Sequence, residues 1–86
     1  MIRSIAQAHE RYKQARTFLQ ETVRAALPLG TRVEVELGRA FVRGVITRHG
    51  EAYHDPAEIW LVNEKTGKER SFTATFHRFR ILEKRG

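Results

Sequence analysis

The chain changes its hydrophobic period once, at Leu27-Pro28-Leu29-Gly30. Upstream, Ile2, Ile5, Tyr12, Leu19, Val23 and Ala26 recur at spacings of three, four or seven and share one face of a helix. Ala, Gln, Glu, Arg and Lys fill most other positions there and favour helix. Ser4 is a candidate N-cap, which would leave Ile2 outside the helix. Pro28 predicts the stop, because the residue before a proline is pushed out of the α region. His9 and Arg16 interrupt the stripe where a heptad would be completed, so packing on the chain's own domain is expected rather than a long coiled coil. Phe18 lies about 130° from the stripe centre at about 100° per residue. It reads as an ordinary exposed ring or as an anchor for a partner chain.

Downstream the period becomes two. Val33, Val35 and Leu37 alternate with Arg32, Glu34 and Glu36, which predicts a half-buried strand. Gly38-Arg39-Ala40 is a short turn, and residues 41–47 form the second strand. Gly44 inside that strand predicts a bend or a close backbone approach. Residues 49–56 read as a polar loop, 58–62 as the third strand, and 63–67 as a turn with Gly near its end. Residues 68–74 are the fourth strand, 75–78 a 3₁₀ turn, 79–82 a short last strand, and 83–86 a frayed tail. Five short strands joined by tight turns predict a small β-barrel, since closure removes exposed sheet edges. The expected fold is therefore α+β: an N-terminal amphipathic helix over 1–27 and a five-stranded SH3-like barrel over 28–86, in one structural domain.

Composition narrows this picture. With 86 residues, 41% hydrophobic and 30% charged, the chain reads as one soluble globular unit. Domains this small bury only about 60–65% of their unfolded surface, which leaves little room for a deep enzyme cleft. There is no cysteine, so disulfides and thiolate metal sites are excluded and a reducing compartment is favoured. No run approaches the ~18 apolar residues of a membrane span. The first residues lack an apolar signal-peptide core, so a cytoplasmic location is the expectation.

Residues 29–35 (Leu-Gly-Thr-Arg-Val-Glu-Val), then Arg43-Gly-Val-Ile, Ile59-Trp-Leu-Val and Phe79-Arg-Ile-Leu resemble the SH3-like barrels of the Tudor and KOW type. Those folds open with a Gly two residues before a strand beginning in Val and end in a 3₁₀ turn and a short apolar strand. Sm-like barrels are also similar, with a helix before five strands, and Val33 to Val45 resembles the first half of their first motif. Their Asp and Asn are not matched over 47–52, and no Arg-Gly step stands near Phe79-Arg80-Ile81, so their RNA-binding residues do not carry over. The aromatic cage of Tudor domains has no assigned counterpart: Trp60, Tyr53 and Phe41 are the right types, and nothing gathers them around one pocket.

Sixteen Lys and Arg against ten Asp and Glu give a net charge of +6, spread over both parts of the chain. Arg39, Arg43 and Arg48 on the second strand and its turn could line a groove for phosphates, joined by Arg78 and Arg80 near the end. A solvated, mixed-charge surface is the plainer reading of the same residues. Phe41, Phe72, Phe76 and Phe79 are expected in the core. Tyr53 is the exposed ring of a polar loop. Trp60 packs on the core or the helix on one reading and stacks a base on the other.

His49, Glu51, His54 and Asp55 share one loop without standard metal spacing, so no metal and no cofactor are expected. No nucleophile motif, Walker loop or dinucleotide fingerprint is present, and the chain is expected to be non-enzymatic. The leading reading is a basic module that binds nucleic acid, DNA or RNA, through Arg39, Arg43, Arg48, Arg78 and Arg80, with Tyr53 or Trp60 stacking. The alternative is a small regulator, of the kind mobile elements encode, that docks on an acidic protein or ribonucleoprotein complex. In that case Lys13, Arg16, Phe18 and Arg24 of the helix supply the interface.

Overall fold

The computed structural model describes residues 2–50 and 55–84. One helix, α1 (Ile2–Ala26), precedes five strands: β1 (Arg32–Leu37), β2 (Ala40–His49), β3 (Glu58–Asn63), β4 (Glu69–Thr73) and β5 (Phe79–Glu83). The α+β arrangement expected from the change of period is thus present. Helix α1 begins at Ile2, so Ser4 sits in its first turn and is not the cap. It ends where Pro28 requires: Leu27 N–H donates the last helical bond to Val23 O at 2.9 Å. Thr31 N–H then closes a turn onto Pro28 O, with Gly30 at φ 90° in the left-handed position that only glycine adopts cheaply.

The strands form one antiparallel sheet in the order β4-β3-β2-β1-β5. The ladder is open. Strands β4 and β5 are its edges and are not paired with each other, so the expected barrel closure by backbone hydrogen bonds is not made. The sheet curls instead. The Phe72 ring on β4 meets the Phe79 ring on β5 at 5.7 Å between centroids, and side chains from four strands bury Val33, Val35, Val42, Ile46, Ile59, Leu61 and Phe72 between them. Side-chain contact across the two edges takes the place of a shared ladder.

Local chemistry sets the connections. Gly38 has φ 63° at the first position of the two-residue β1–β2 turn while Arg39 does not have positive φ, which matches a II′ hairpin. Asn63 Oδ1 accepts from Lys65 N–H at 2.8 Å and shapes the β3–β4 turn, which closes through Gly67 at φ 73°. Between β4 and β5, Phe76 and His77 N–H both donate to Thr73 O, and His77 Nδ1 accepts from Thr73 N–H at 3.0 Å. Among the described residues the helix meets the core by its last turns. Val23 and Leu27 enter the core and Leu19 packs beside it. Arg24 Nη2 donates to Gly50 O at 3.0 Å, and His49 Nε2 donates to Leu27 O at 2.7 Å.

Two expected core rings lie outside. Phe41 is 69% exposed and Phe76 is 82% exposed. Phe41 shares its parity with Arg43, whereas Val42, Gly44 and Ile46 point inward. Phe76 sits on the β4–β5 turn, edge-on to the His77 ring at 5.0 Å, where no strand turns it inward.

Candidate nucleic-acid interface

The outward face of β5-β1-β2 carries the densest group of expected site residues. Glu34 on β1 is the cross-strand partner of Arg43 on β2 and of Arg80 on β5. One carboxylate therefore holds two guanidinium groups: Arg43 Nε at 2.8 Å and Arg80 Nε at 3.1 Å. The Glu34 side chain is only 16% exposed. The Arg43 hydrogen bond, aided by the Arg80 charge and opposed by desolvation, holds the Glu34 carboxyl below its ordinary value of 4.5.

Phe41 stands beside this triad, across from Glu36. It forms the shared wall of two grooves. One, of about 500 Å³, is lined by Phe41, Val42, Arg43 and Lys65, with Glu34, Asn63 and Glu64. The other, of about 280 Å³, is lined by Phe41, Arg78, Phe79 and Arg80, with Glu34 and Glu36. The grooves thus hold four cations against three carboxylates, and exposed Arg39 adds another cation on the adjoining turn. Neither Arg39 nor Arg78 has a carboxylate partner among the described residues. An exposed ring with guanidinium groups on both sides can stack a planar group and hold anionic oxygens beside it.

Arg48 and Trp60 are brought together, but apart from this triad and on one another. The Arg48 guanidinium lies over the Trp60 ring, 4.2 Å from its centroid, and donates from Nη2 to Glu69 Oε1 at 2.7 Å. One face of the indole is thereby occupied. Trp60 is half-buried, and its Nε1 has no hydrogen-bond partner among the described residues. Tyr53 lies outside the described residues, as do Glu51 and His54 of the loop considered for metal. The described members of that loop have other partners: His49 donates to Leu27 O, and Asp55 Oδ1 accepts from Ala57 N–H at 2.8 Å.

On α1, Lys13 and Phe18 are exposed, Arg16 is half-buried, and Arg24 is engaged with Gly50. Sequence reasoning missed Phe41 and Glu34 as site residues. The signal for Phe41 was the parity of Val42 and Ile46, outweighed by the apolarity of the ring itself. Glu34 could be identified only from its cross-strand register.

Comparison of the chain with protein-family models, with curated proteins and with solved structures finds no match.

Proposed function

We propose that this chain is a non-enzymatic basic module that binds nucleic acid on the outward face of β5-β1-β2. Phe41 is its stacking platform, and Arg39, Arg43, Arg78 and Arg80 are its phosphate contacts. The observation that carries the reading is the exposed Phe41 ring, flanked on one side by Arg43 and Lys65 and on the other by Arg78 and Arg80. Small β folds bind strands by this combination of a basic track and an aromatic face, because every base offers a π surface and every phosphate a charge. The meander order of strands and the short turn before the last one support an SH3-like fold of Tudor or KOW type, despite the open ladder. Glu34 tunes the site: by holding Arg43 and Arg80 it orients both forks and lowers the charge they present.

The test is binding of labelled single- and double-stranded DNA and RNA across a salt series. Each phosphate neutralised contributes a log–log slope of about −0.7 to −0.9. Arg43→Ala/Arg80→Ala is expected to flatten the slope by about two phosphates, roughly 1.5 in these units. Phe41→Ala is expected to weaken single-strand binding by about tenfold, the effect of one lost stack, and to leave the slope unchanged. Binding that disappears at moderate salt, or slopes identical in wild type and double variant, would overturn the reading.

A further inference from the structure

The apolar face of α1 continues far beyond the part that its own sheet covers. A helix of 25 residues is about 37 Å long. Among the described residues its last turns reach the core, through Leu19, Val23 and Leu27. From Ser4 to Ala15 every residue is exposed, including Ile5 at 71% and Tyr12 at 63%. Yet Ile5, Ala8, Tyr12, Ala15, Leu19 and Val23 run at spacings of three and four, so the covered and uncovered residues belong to one stripe. Helices draw most of their stability from packing such a face, and an arm of this length without it is marginal in water.

We propose that the Ile5–Ala15 face of α1 docks an amphipathic helix of a partner protein whose apolar stripe is flanked by Asp and Glu. Three observations select that occupant. First, large and small residues alternate along the stripe: Ile5, Ala8, Tyr12, Ala15, Leu19. The alanines leave recesses that let a second helix approach closely and seat its own large side chains. A lipid surface calls for a continuous bulky face instead. Second, basic residues border the stripe on both sides. By helical position Arg11 lies about 80° from its centre on one side, with Arg16 about 60° and Lys13 about 120° on the other. Third, Glu10 and Glu21 project about 160–180° away. A second copy of this chain would therefore set its basic borders against those of the first, with no carboxylate turned toward them. An acidic helix meets complementary charge on both borders, which sets orientation and partner choice.

The proposal is tested with the full chain and two labelled synthetic helical peptides of three heptads. Both carry Leu at the a and d positions; one has Glu and the other Lys at e and g. The Glu peptide is expected to bind at least about tenfold more tightly than the Lys peptide. Ile5→Ser/Tyr12→Ser is expected to remove that binding without changing Trp60 emission or the melting temperature. Arg11→Glu/Lys13→Glu is expected to reverse the peptide preference. Equal affinity for the two peptides, or full binding by the Ile5/Tyr12 variant, would overturn the proposal. So would dimerisation in sedimentation that this variant abolishes, or a preference for phosphatidylserine vesicles over the Glu peptide.

Discussion

The Arg48 guanidinium covers the Trp60 ring because β2 contains a bulge. Between Ile46 and Arg48 the register against β3 slips by one residue, and Arg48 comes opposite Trp60. In a regular strand Arg48 would share the inward side of Val42 and Ile46. The extra residue, Thr47, turns it outward, where it reaches both the indole and Glu69. Trp60 is the only tryptophan of the chain, so its emission reports this contact. Arg48→Ala is expected to shift the Trp60 emission and to lower stability by about 0.5–1 kcal/mol, the usual size of an exposed cation–π contact. An unaltered spectrum would show that the pair does not persist in solution.

Gly44 has no room for a side chain. A Cβ there would lie 2.5 Å from Val62 O and 2.6 Å from Leu61 Cδ1, and the first of these is backbone of the paired strand. Gly44→Ala must push β2 from β3 or expel Leu61 from the core. Overpacking of this kind costs about 1–3 kcal/mol. In a domain of this size each kcal/mol lowers the melting temperature by about 4–8 °C. Thermal unfolding of the variant at the wild-type midpoint would contradict the close approach.

Glu34 makes stability depend on acid. Its carboxyl is held below 4.5 in the folded chain by Arg43 and, more weakly, Arg80, so near and below that pH the unfolded chain binds the extra proton first. The contribution is complete above the ordinary glutamate value and is lost as pH falls through the depressed one. Glu64, held low by Arg32, acts in the same direction. Glu34→Gln is expected to be less stable at pH 7 and to lose less stability than wild type on acidification from about pH 5 to 3. Parallel pH–stability curves for the two proteins would refute this assignment.

The same substitution bears on the proposed function. With Glu34→Gln the Arg43 and Arg80 forks lose their shared counter-charge. Nucleic-acid affinity is expected to rise with a steeper salt slope, by up to about one phosphate equivalent. Weaker binding would mean that orienting the two forks matters more than the charge they present.

Among the described residues, three side-chain hydrogen bonds join the end of α1 to the end of β2, beside the packing of Leu19, Val23 and Leu27. His49 donates to Leu27 O, and Arg24 and Gln20 donate to Gly50 O. Removing one partner of a part-buried bond costs about 1 kcal/mol. His49→Ala is expected to cost that amount and to speed amide exchange in the last turn of α1 while β1–β3 stay protected. Uniform loss of protection across the sheet would show instead that helix and sheet unfold together.

Much of the fold was legible in local pattern. The apolar stripe predicted α1, and Pro28 its end. The alternation of Val33 and Val35 predicted β1, and Gly38 and Gly67 the turns. The alternation in β2 also holds the placement of Phe41: its parity with Arg43 turns the ring outward, although its apolarity alone predicts the core. Residues 51–54, including Tyr53, lie outside what the structure describes, so the stacking role expected of that ring has no structural counterpart to set beside Phe41.

Local pattern was enough for the elements, their order and the inward residues of most strands. Those follow from periods of 3.6 and two, from proline and from glycine, all of which act within a few residues. Long-range packing set Glu34 against Arg43 and Arg80, laid Arg48 on Trp60 through a bulge, and seated the last turns of α1 on the core. It also decided that β4 and β5 touch through Phe72 and Phe79 without sharing a ladder. Those outcomes depend on register between segments distant in the chain, which the free energy of the whole packed core selects and no local period encodes.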